Sequence, residues 1–356
     1  MSGGESVVVS TLTLAQRTLI EKARNVGNSE MAVRLSHEVC GYLCGIIVKD
    51  LNLIAKVPGV PENLPPFFDT WPVSSLVLPG ISFESLAAKL FAMKPDSDTY
   101  FACLAALHKS RLKYEQIMQR QAFPTFDQVG PRGLLQFGSL SSSALTAMLY
   151  WRKWFYDLDN RAAQETGYLF EPILASAIGG TPVSAKRSPV RRLHDPSKGR
   201  QVDCIKQELA YEFKMRVTSA ASGQGRWGEE LQFPVDCVES GFKPVLVVLD
   251  PTPNHKLEEL IRVFDQVGGQ TFVGDSAWQH LEAQAGSVMS IFLERYIRQP
   301  LAAMSRDVSG PLPPMAVQLR DRGHVEFLIG DERLLVERTG DPMHADAEDL
   351  PEDISD

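Results

Sequence analysis

The sequence predicts an α/β (α+β) chain: a mixed β-sheet core flanked by helices, preceded by a mainly helical N-terminal region. Three observations carry this. Leu12, Leu19, Val26, Val33, Leu35, Val39 and Leu43 recur at helical spacing across 11–56. From Val202 the period shortens to two, the alternation of a half-buried strand. Between about 161 and 273 the segments run helix, strand, strand, helix, strand, helix, strand, an order that suits a sheet covered by helices.

Each element has its own signal. Six prolines interrupt 57–82, so this stretch is a loop rather than a helix. Asp96, Ser97 and Asp98 are capping residues for a helix over 98–120. FPTFDQVGPRGLLQFGSLS follows and reads as turns. A helix starts near Ser141–Ser143, with Leu145, Met148, Leu149, Trp154, Phe155 and Leu158 on its apolar face. Pro172 then starts or kinks a helix, and Gly179-Gly180 stops it. A further strand is expected within 182–193. Val202–Ile205 and Ala210–Thr218 read as two strands. In the second, Tyr211, Phe213, Met215 and Val217 face one way, and Glu212, Lys214 and Arg216 the other. A helix over 229–239, the apolar strand 243–250, a helix over 255–267, a strand at 271–273 and a helix over 276–298 follow. Short antiparallel strands are expected over 316–338. This divides the chain into a helical region, 1–140, serving dimerisation or as a DNA clamp, a core, 141–300, a β extension, 301–340, and an acidic tail, 341–356, expected to be disordered.

Composition narrows the function classes. The chain has 356 residues, 44% hydrophobic and 22% charged, as in a soluble globular protein. No apolar run approaches a membrane span, and the first residues lack the basic-then-apolar order of a secretory signal. Five cysteines without C-x-x-C spacing argue against zinc and disulfide frameworks and for a cytoplasmic setting. The net charge of -8 is concentrated: the tail DPMHADAEDLPEDISD holds seven acids and no Lys or Arg, so without it 36 bases face 37 acids. A nearly neutral body leaves local patches to decide what it binds. Gly223-Gln224-Gly225 is followed by no G-K-[ST], so a nucleotide cofactor is not expected.

Asp203, Glu212 and Lys214 are the residues with chemistry to offer. Asp203 ends one strand and Glu212 lies on its neighbour, where the two can share one Mg²⁺, which prefers a few carboxylates plus water and phosphate oxygens. Lys214 projects from the same face as Glu212, and the Phe213 carbonyl between them is a third candidate ligand. Such a set suits metal-assisted hydrolysis of a phosphodiester: the ion activates water and the ammonium stabilises the crowded phosphate. Lys214 is the only lysine in the chain with an acid two positions earlier. The plain alternative is a solvated strand face carrying surface charges.

The segment Gln201-Val202-Asp203 followed by Glu212-Phe213-Lys214, within that order of elements, resembles the PD-(D/E)XK nuclease superfamily, with Val202 where the superfamily's name has proline. VGPRGLLQFG (129–138), WRKWFYDLDNRAAQETGYLFEPIL (151–174) and EFKMRVTSAASGQGRWGEEL (212–231) are similar to type II restriction endonucleases of the ApaLI-like group. The resemblance implies a restriction-endonuclease-like core, Mg²⁺-dependent cutting of double-stranded DNA at a short palindrome, and a homodimer. It also implies a further Glu on the preceding helix, for which Glu171 is the first candidate and Glu165 the second. Glu171 reads equally as a helix-start carboxylate. A repair or recombination nuclease of the same fold, and a non-catalytic DNA-binding module, are the competing readings.

DNA contacts are expected from two stretches. SAKRSPVRRLHDPSKGR (184–200) carries Lys186, Arg187, Arg191, Arg192, Lys198 and Arg200 against one acid, a set able to neutralise phosphates. The glycine-containing loop 216–230 offers Arg216, Ser222, Gln224 and Arg226, with Arg and Gln suited to base edges. Trp227 reads as the anchor of that loop.

Overall fold

The structure, a computed structural model, describes residues 11–25, 33–167, 170–217, 224–307, 310–321 and 323–339. The acidic tail therefore lies outside the described residues.

The N-terminal region is helical, as the spacing predicts. Helix α1 (Leu14–Arg24) opens on a capping box in which Thr13 and Gln16 bond each other's backbone amides. Helix α2 (His37–Asp50) is capped by Ser36 and buried along nearly its whole length. Helices α3 (Phe83–Met93) and α4 (Ser97–Arg120) follow the proline-rich loop. The sequence reading has no helix at α3, although Ser82 caps it by accepting from the Ser85 amide. Helix α5 (Phe126–Gly133) occupies part of the stretch read as turns: Thr125 and Gln128 form its capping box, and this outweighs Gly130, Pro131 and Gly133 over two turns. Helix α6 (Ser142–Gly167) leads to α7 (Phe170–Ala177). Pro172 sits in the first turn of α7, where its missing amide has no helical partner to lose.

The central sheet has strand order β1 (Thr181–Val183), β4 (Val202–Lys206), β5 (Leu209–Lys214), β6 (Lys243–Val248) and β7 (Gln270–Val273). Strands β1, β4 and β5 are antiparallel, while β5, β6 and β7 are parallel. Parallel neighbours need crossovers, and α8 (Gln224–Glu239) and α9 (His255–Gln266) supply them. The strand expected within 182–193 is two short pieces, β1 and β2 (Arg191–Arg192), and β2 pairs with β3 (Asp195–Gly199) in a small hairpin that the sequence reading does not contain. Gly180 allows α7 to turn onto β1, since a Cβ there would lie 2.2 Å from Cys204 Sγ.

Alternation along the strands divides the core in two. Cys204, Tyr211, Phe213, Val245 and Val247 pack against α7, α10 (Asp275–Leu293) and the N-terminal helices in one continuous cluster. Val202, Ala210, Leu246 and Val248 pack on the opposite face against Phe233 and Cys237 of α8 and Leu257, Leu260 and Phe264 of α9. The predicted alternation of 210–218 holds only to Lys214. Beyond it Met215 is exposed and Val217 joins the α8–α9 side. After α10, a π-helical turn (Glu294–Arg298) leads into α11 (Gln299–Asp307). The expected C-terminal strands are β8 (Met315–Asp321), β9 (His324–Ile329) and β10 (Glu332–Glu337), antiparallel and packed through Val325, Phe327 and Val336 on Trp154 and Leu158 of α6.

Candidate active site

Register brings the sequence-predicted residues together. The β4–β5 ladder pairs Lys206 with Leu209, Ile205 with Ala210 and Cys204 with Tyr211. It ends one step short of Asp203 and Glu212, which still lie near enough for the Glu212 charge to act on Asp203. The ladder gives way there: the Phe213 N–H donates to Asp203 Oδ2 at 2.8 Å. That bond fixes the carboxylate from within strand β5 and leaves Oδ1 for another partner.

The electrostatics are unusual for a buried group. Asp203 is 8% exposed. Burial, then Glu212, then Glu171 push its carboxyl well above the ordinary range, against weaker opposition from the Phe213 amide and Lys214. Lys214 Nζ lies 3.2 Å from Glu212 Oε1 and 3.3 Å from Glu230 Oε2. Burial alone would lower the Lys214 pKa, but the two glutamates outweigh it and raise it, so the ammonium stays charged. Glu171, Phe213, Lys214 and Arg216 line a cavity of about 590 Å³ whose other walls are mainly apolar, among them Phe68, Phe170 and Tyr296.

The donor set fits a hard divalent cation. Glu212 and Glu171 each lie close enough to repel the Asp203 carboxylate, and a cation relieves that repulsion. Among the described residues, no three His, Cys, Asp or Glu side chains are grouped closely enough to hold an ion by themselves. An ion here would take the remaining positions from water and substrate oxygens, the habit of Mg²⁺. Glu165, the second candidate on the preceding helix, has a side chain outside the described residues.

The basic stretch is split by the fold. Lys186, Arg187, Arg191 and Lys198 are exposed, with Lys198 at 3.4 Å from Asp195. Arg192 makes a two-pronged bond to Glu229, at 2.8 and 3.3 Å. Arg200 departs from the expected phosphate contact. It is buried, ion-paired with the fully buried Asp236 and bonded to the Glu229 carbonyl at 3.1 Å. Its partner lies 36 residues away, so no local pattern marks it. Arg216 is half exposed and lies 3.4 Å from Asp250. The expected loop over 216–230 is shorter than read, because α8 begins at Gln224. Ser222 lies outside the described residues, as do the side chains of Gln224 and Arg226. Trp227 is the anchor expected: its Nε1 donates to Glu259 at 3.1 Å. Glu229, Glu230 and Asp236 were missed by the sequence reading. Glu229 and Glu230 stood at its expected helix start, where acids are commonplace.

Residues 81–298 match the family model described as "ApaLI-like restriction endonuclease". Over 274 residues the chain is 51% identical to a protein of Acetobacter pasteurianus named "Type II restriction enzyme ApaLI", covering 72% of this chain and 73% of that one. No solved structure matches the chain. Among the described residues, no helix is long and apolar enough to cross a membrane.

Proposed function

The chain belongs to the ApaLI-like restriction endonuclease family, and from that premise we propose that Asp203, Glu212 and Lys214 are its cutting residues. It is a type II restriction endonuclease, a site-specific deoxyribonuclease that binds DNA. The metal is a divalent cation, and Mg²⁺ is the ion we assign to it. The observation that carries the site assignment is the buried Asp203, repelled by the half-buried Glu212 and Glu171, beside a charged Lys214.

A divalent cation held there would supply Lewis acidity and lower the pKa of a bound water. Asp203, fixed by the Phe213 amide, and Glu212 would hold the ion. Glu171 adds negative charge from α7, and the Phe213 carbonyl is an adjacent oxygen donor. Lys214 orients the attacking water and balances charge on the phosphate in the transition state. Lys186, Arg187, Arg191, Arg192 and Lys198 neutralise backbone phosphates, and Arg216, Ser222, Gln224 and Arg226 are the residues we assign to reading bases. Arg200 supports that surface from beneath.

A palindromic site calls for two copies related by a two-fold axis, and the partner we assign is a second copy of this chain. Support comes from the face built by α5 and the turn before α6, where Phe126, Leu134, Leu135, Phe137 and Leu140 are exposed, Leu135 by 90%. Residues 133–151 contain no charged side chain, the depletion typical of interface centres, and an uncharged face meets its own copy without repulsion. Leu135→Glu is expected to give a monomer by sedimentation. A variant still dimeric would place the interface elsewhere.

The activity is tested by digesting long mixed-sequence duplex DNA with purified protein, with Mg²⁺ or with a chelator, and sequencing the ends. Discrete fragments sharing one terminal sequence, and lost with the chelator, are expected. A Mg²⁺-dependent smear would keep a nuclease but remove site specificity.

A further inference from the structure

Lys214 has two carboxylate partners, and only one of them is a predicted metal ligand. When Glu212 turns its oxygens to a cation, Glu230 Oε2 at 3.3 Å is the carboxylate left on the ammonium. Lysine is a flexible point charge on a four-carbon stem, so an unheld ammonium samples many positions. Glu230 is itself well placed to hold one. Its side chain is 24% exposed, against 17% for Lys214, and it rides on α8 rather than on the strand.

Helix α8 is also the support of the β2–β3 hairpin. Glu229, the neighbour of Glu230, takes both prongs of Arg192 and, through its carbonyl, Arg200 Nη1. Two turns on, Asp236 accepts the Leu193 amide at 2.9 Å and pairs with Arg200. The Ser240 hydroxyl, just past the helix end, accepts the Arg191 amide at 2.8 Å. Pro234 has no amide to offer the Glu230 carbonyl, so the turn carrying Glu230 lacks that helical bond. The hairpin that presents Arg191, Arg192 and Lys198 to a backbone phosphate thus rests on the helix that reaches Lys214, and its Arg192 is tied to the very turn that carries Glu230.

We propose that Glu230 is a positioning residue for Lys214 and that α8 links the aim of that lysine to the seating of the β2–β3 hairpin on DNA. Resting on the reading of Asp203, Glu212 and Lys214 as cutting residues, it gives that reading a route from DNA engagement to cleavage. Phosphates drawing Arg192 away from Glu229 change the constraint on α8, and Glu230 passes the change to the ammonium. Glu230 acts through Lys214 and holds no metal.

The test uses the full chain and a duplex carrying the cut site mapped by digestion. Three quantities are read for Glu230→Gln: the single-turnover rate with enzyme in excess, the Mg²⁺ concentration at half-maximal rate, and duplex affinity without divalent cation. The expected result is a rate about 10- to 100-fold lower, the range for partners that orient a functional group. The Mg²⁺ midpoint should be unchanged and metal-free affinity no weaker than wild type. A wild-type rate overturns the proposal. So does a raised Mg²⁺ midpoint, which would make Glu230 a ligand, or a rate loss matched by lost affinity. Should Glu230→Gln not fold, Glu230→Asp serves: its carboxylate ends one methylene short, so a slower rate is expected and a wild-type rate overturns the proposal. The link through α8 is read from Arg192→Ala, expected to slow the wild type but not to slow Glu230→Gln further. Independent, multiplicative losses overturn the link. Lys214→Ala is run alongside. If it cuts at the wild-type rate, the reading of the site itself has failed, a result distinct from any failure of Glu230.

Discussion

Asp50 and Asp203 are both buried carboxylates, 6% and 8% exposed, and the protein treats them in opposite ways. Asp50, at the end of α2, is fully served. Its Oδ2 accepts from the Tyr100 hydroxyl at 2.8 Å and the Tyr296 hydroxyl at 2.6 Å, and its Oδ1 from Arg295 at 2.5 Å. Those donors come from α4 and the π-helical turn after α10, so the group fastens the N-terminal helices to the end of the nuclease core. Asp203 has one amide donor, and burial, followed by two like-charged neighbours, raises its pKa. A buried charge satisfied by its own chain is a structural fastening. One left short of positive charge is where the proposed function puts its cation.

The comparison can be broken most forcefully at Lys214. Lys214→Ala is expected to slow cleavage by about 10²–10³-fold, the scale for losing a preorganised charge at a transition state, with the melting temperature little changed. A fast but unstable variant would make Lys214 a structural residue like Arg295.

Removing the charge at Asp50 is the opposite experiment. Asp50→Asn is expected to cost about 2 kcal/mol, the scale of a charged hydrogen bond, read as a lower denaturation midpoint. Cleavage should survive under folding conditions.

A smaller effect of opposite sign is expected at Asp203. Its raised pKa means the folded chain binds that proton more tightly than the unfolded chain. That contribution is present below the ordinary aspartate pKa and lost as pH rises through the raised value. Metal-free wild type should therefore lose stability across that window, and Asp203→Asn should lack the slope. At neutral pH and above, Asp203→Asn should melt a few degrees higher without metal, at about 2–4 °C per kcal/mol relieved. Divalent cation should close the gap. A variant that melts lower than wild type at every pH would put Asp203 in the class of Asp50.

The smallest effects separate two arginines that are alike in sequence. Arg191→Ala should weaken duplex binding uniformly and reduce its salt slope by about 1, with stability unchanged. Arg200→Ala should instead lower stability, because it strands the buried Asp236. Equal salt slopes for the two variants would contradict their different placement.

Much of this site was legible because local rules decide it. Period-two alternation with one apolar face placed Glu212 and Lys214 together, and the apolar run 243–248 announced a strand buried on both faces. Asp203 at hairpin distance completed the set. The rest depends on contacts between distant segments. The Lys214–Glu230 pair and the Arg200–Asp236 pair join residues 16 and 36 apart on different elements, and Asp50 meets Arg295 across 245 positions. Hairpin β2–β3 escaped because DPSKG has no strand composition and α8 holds the hairpin in place. Helix α5 escaped for a different reason: its capping box stands beside two glycines and a proline, the poorest helix formers.

The most direct test sets the two aspartates side by side. Wild type, Asp203→Asn and Asp50→Asn are incubated with long mixed-sequence duplex DNA and Mg²⁺ at a temperature where all three are folded. Asp50→Asn should give the wild-type fragments, and Asp203→Asn should leave the DNA intact. Wild-type fragments from Asp203→Asn, or intact DNA from a folded Asp50→Asn, would contradict the account.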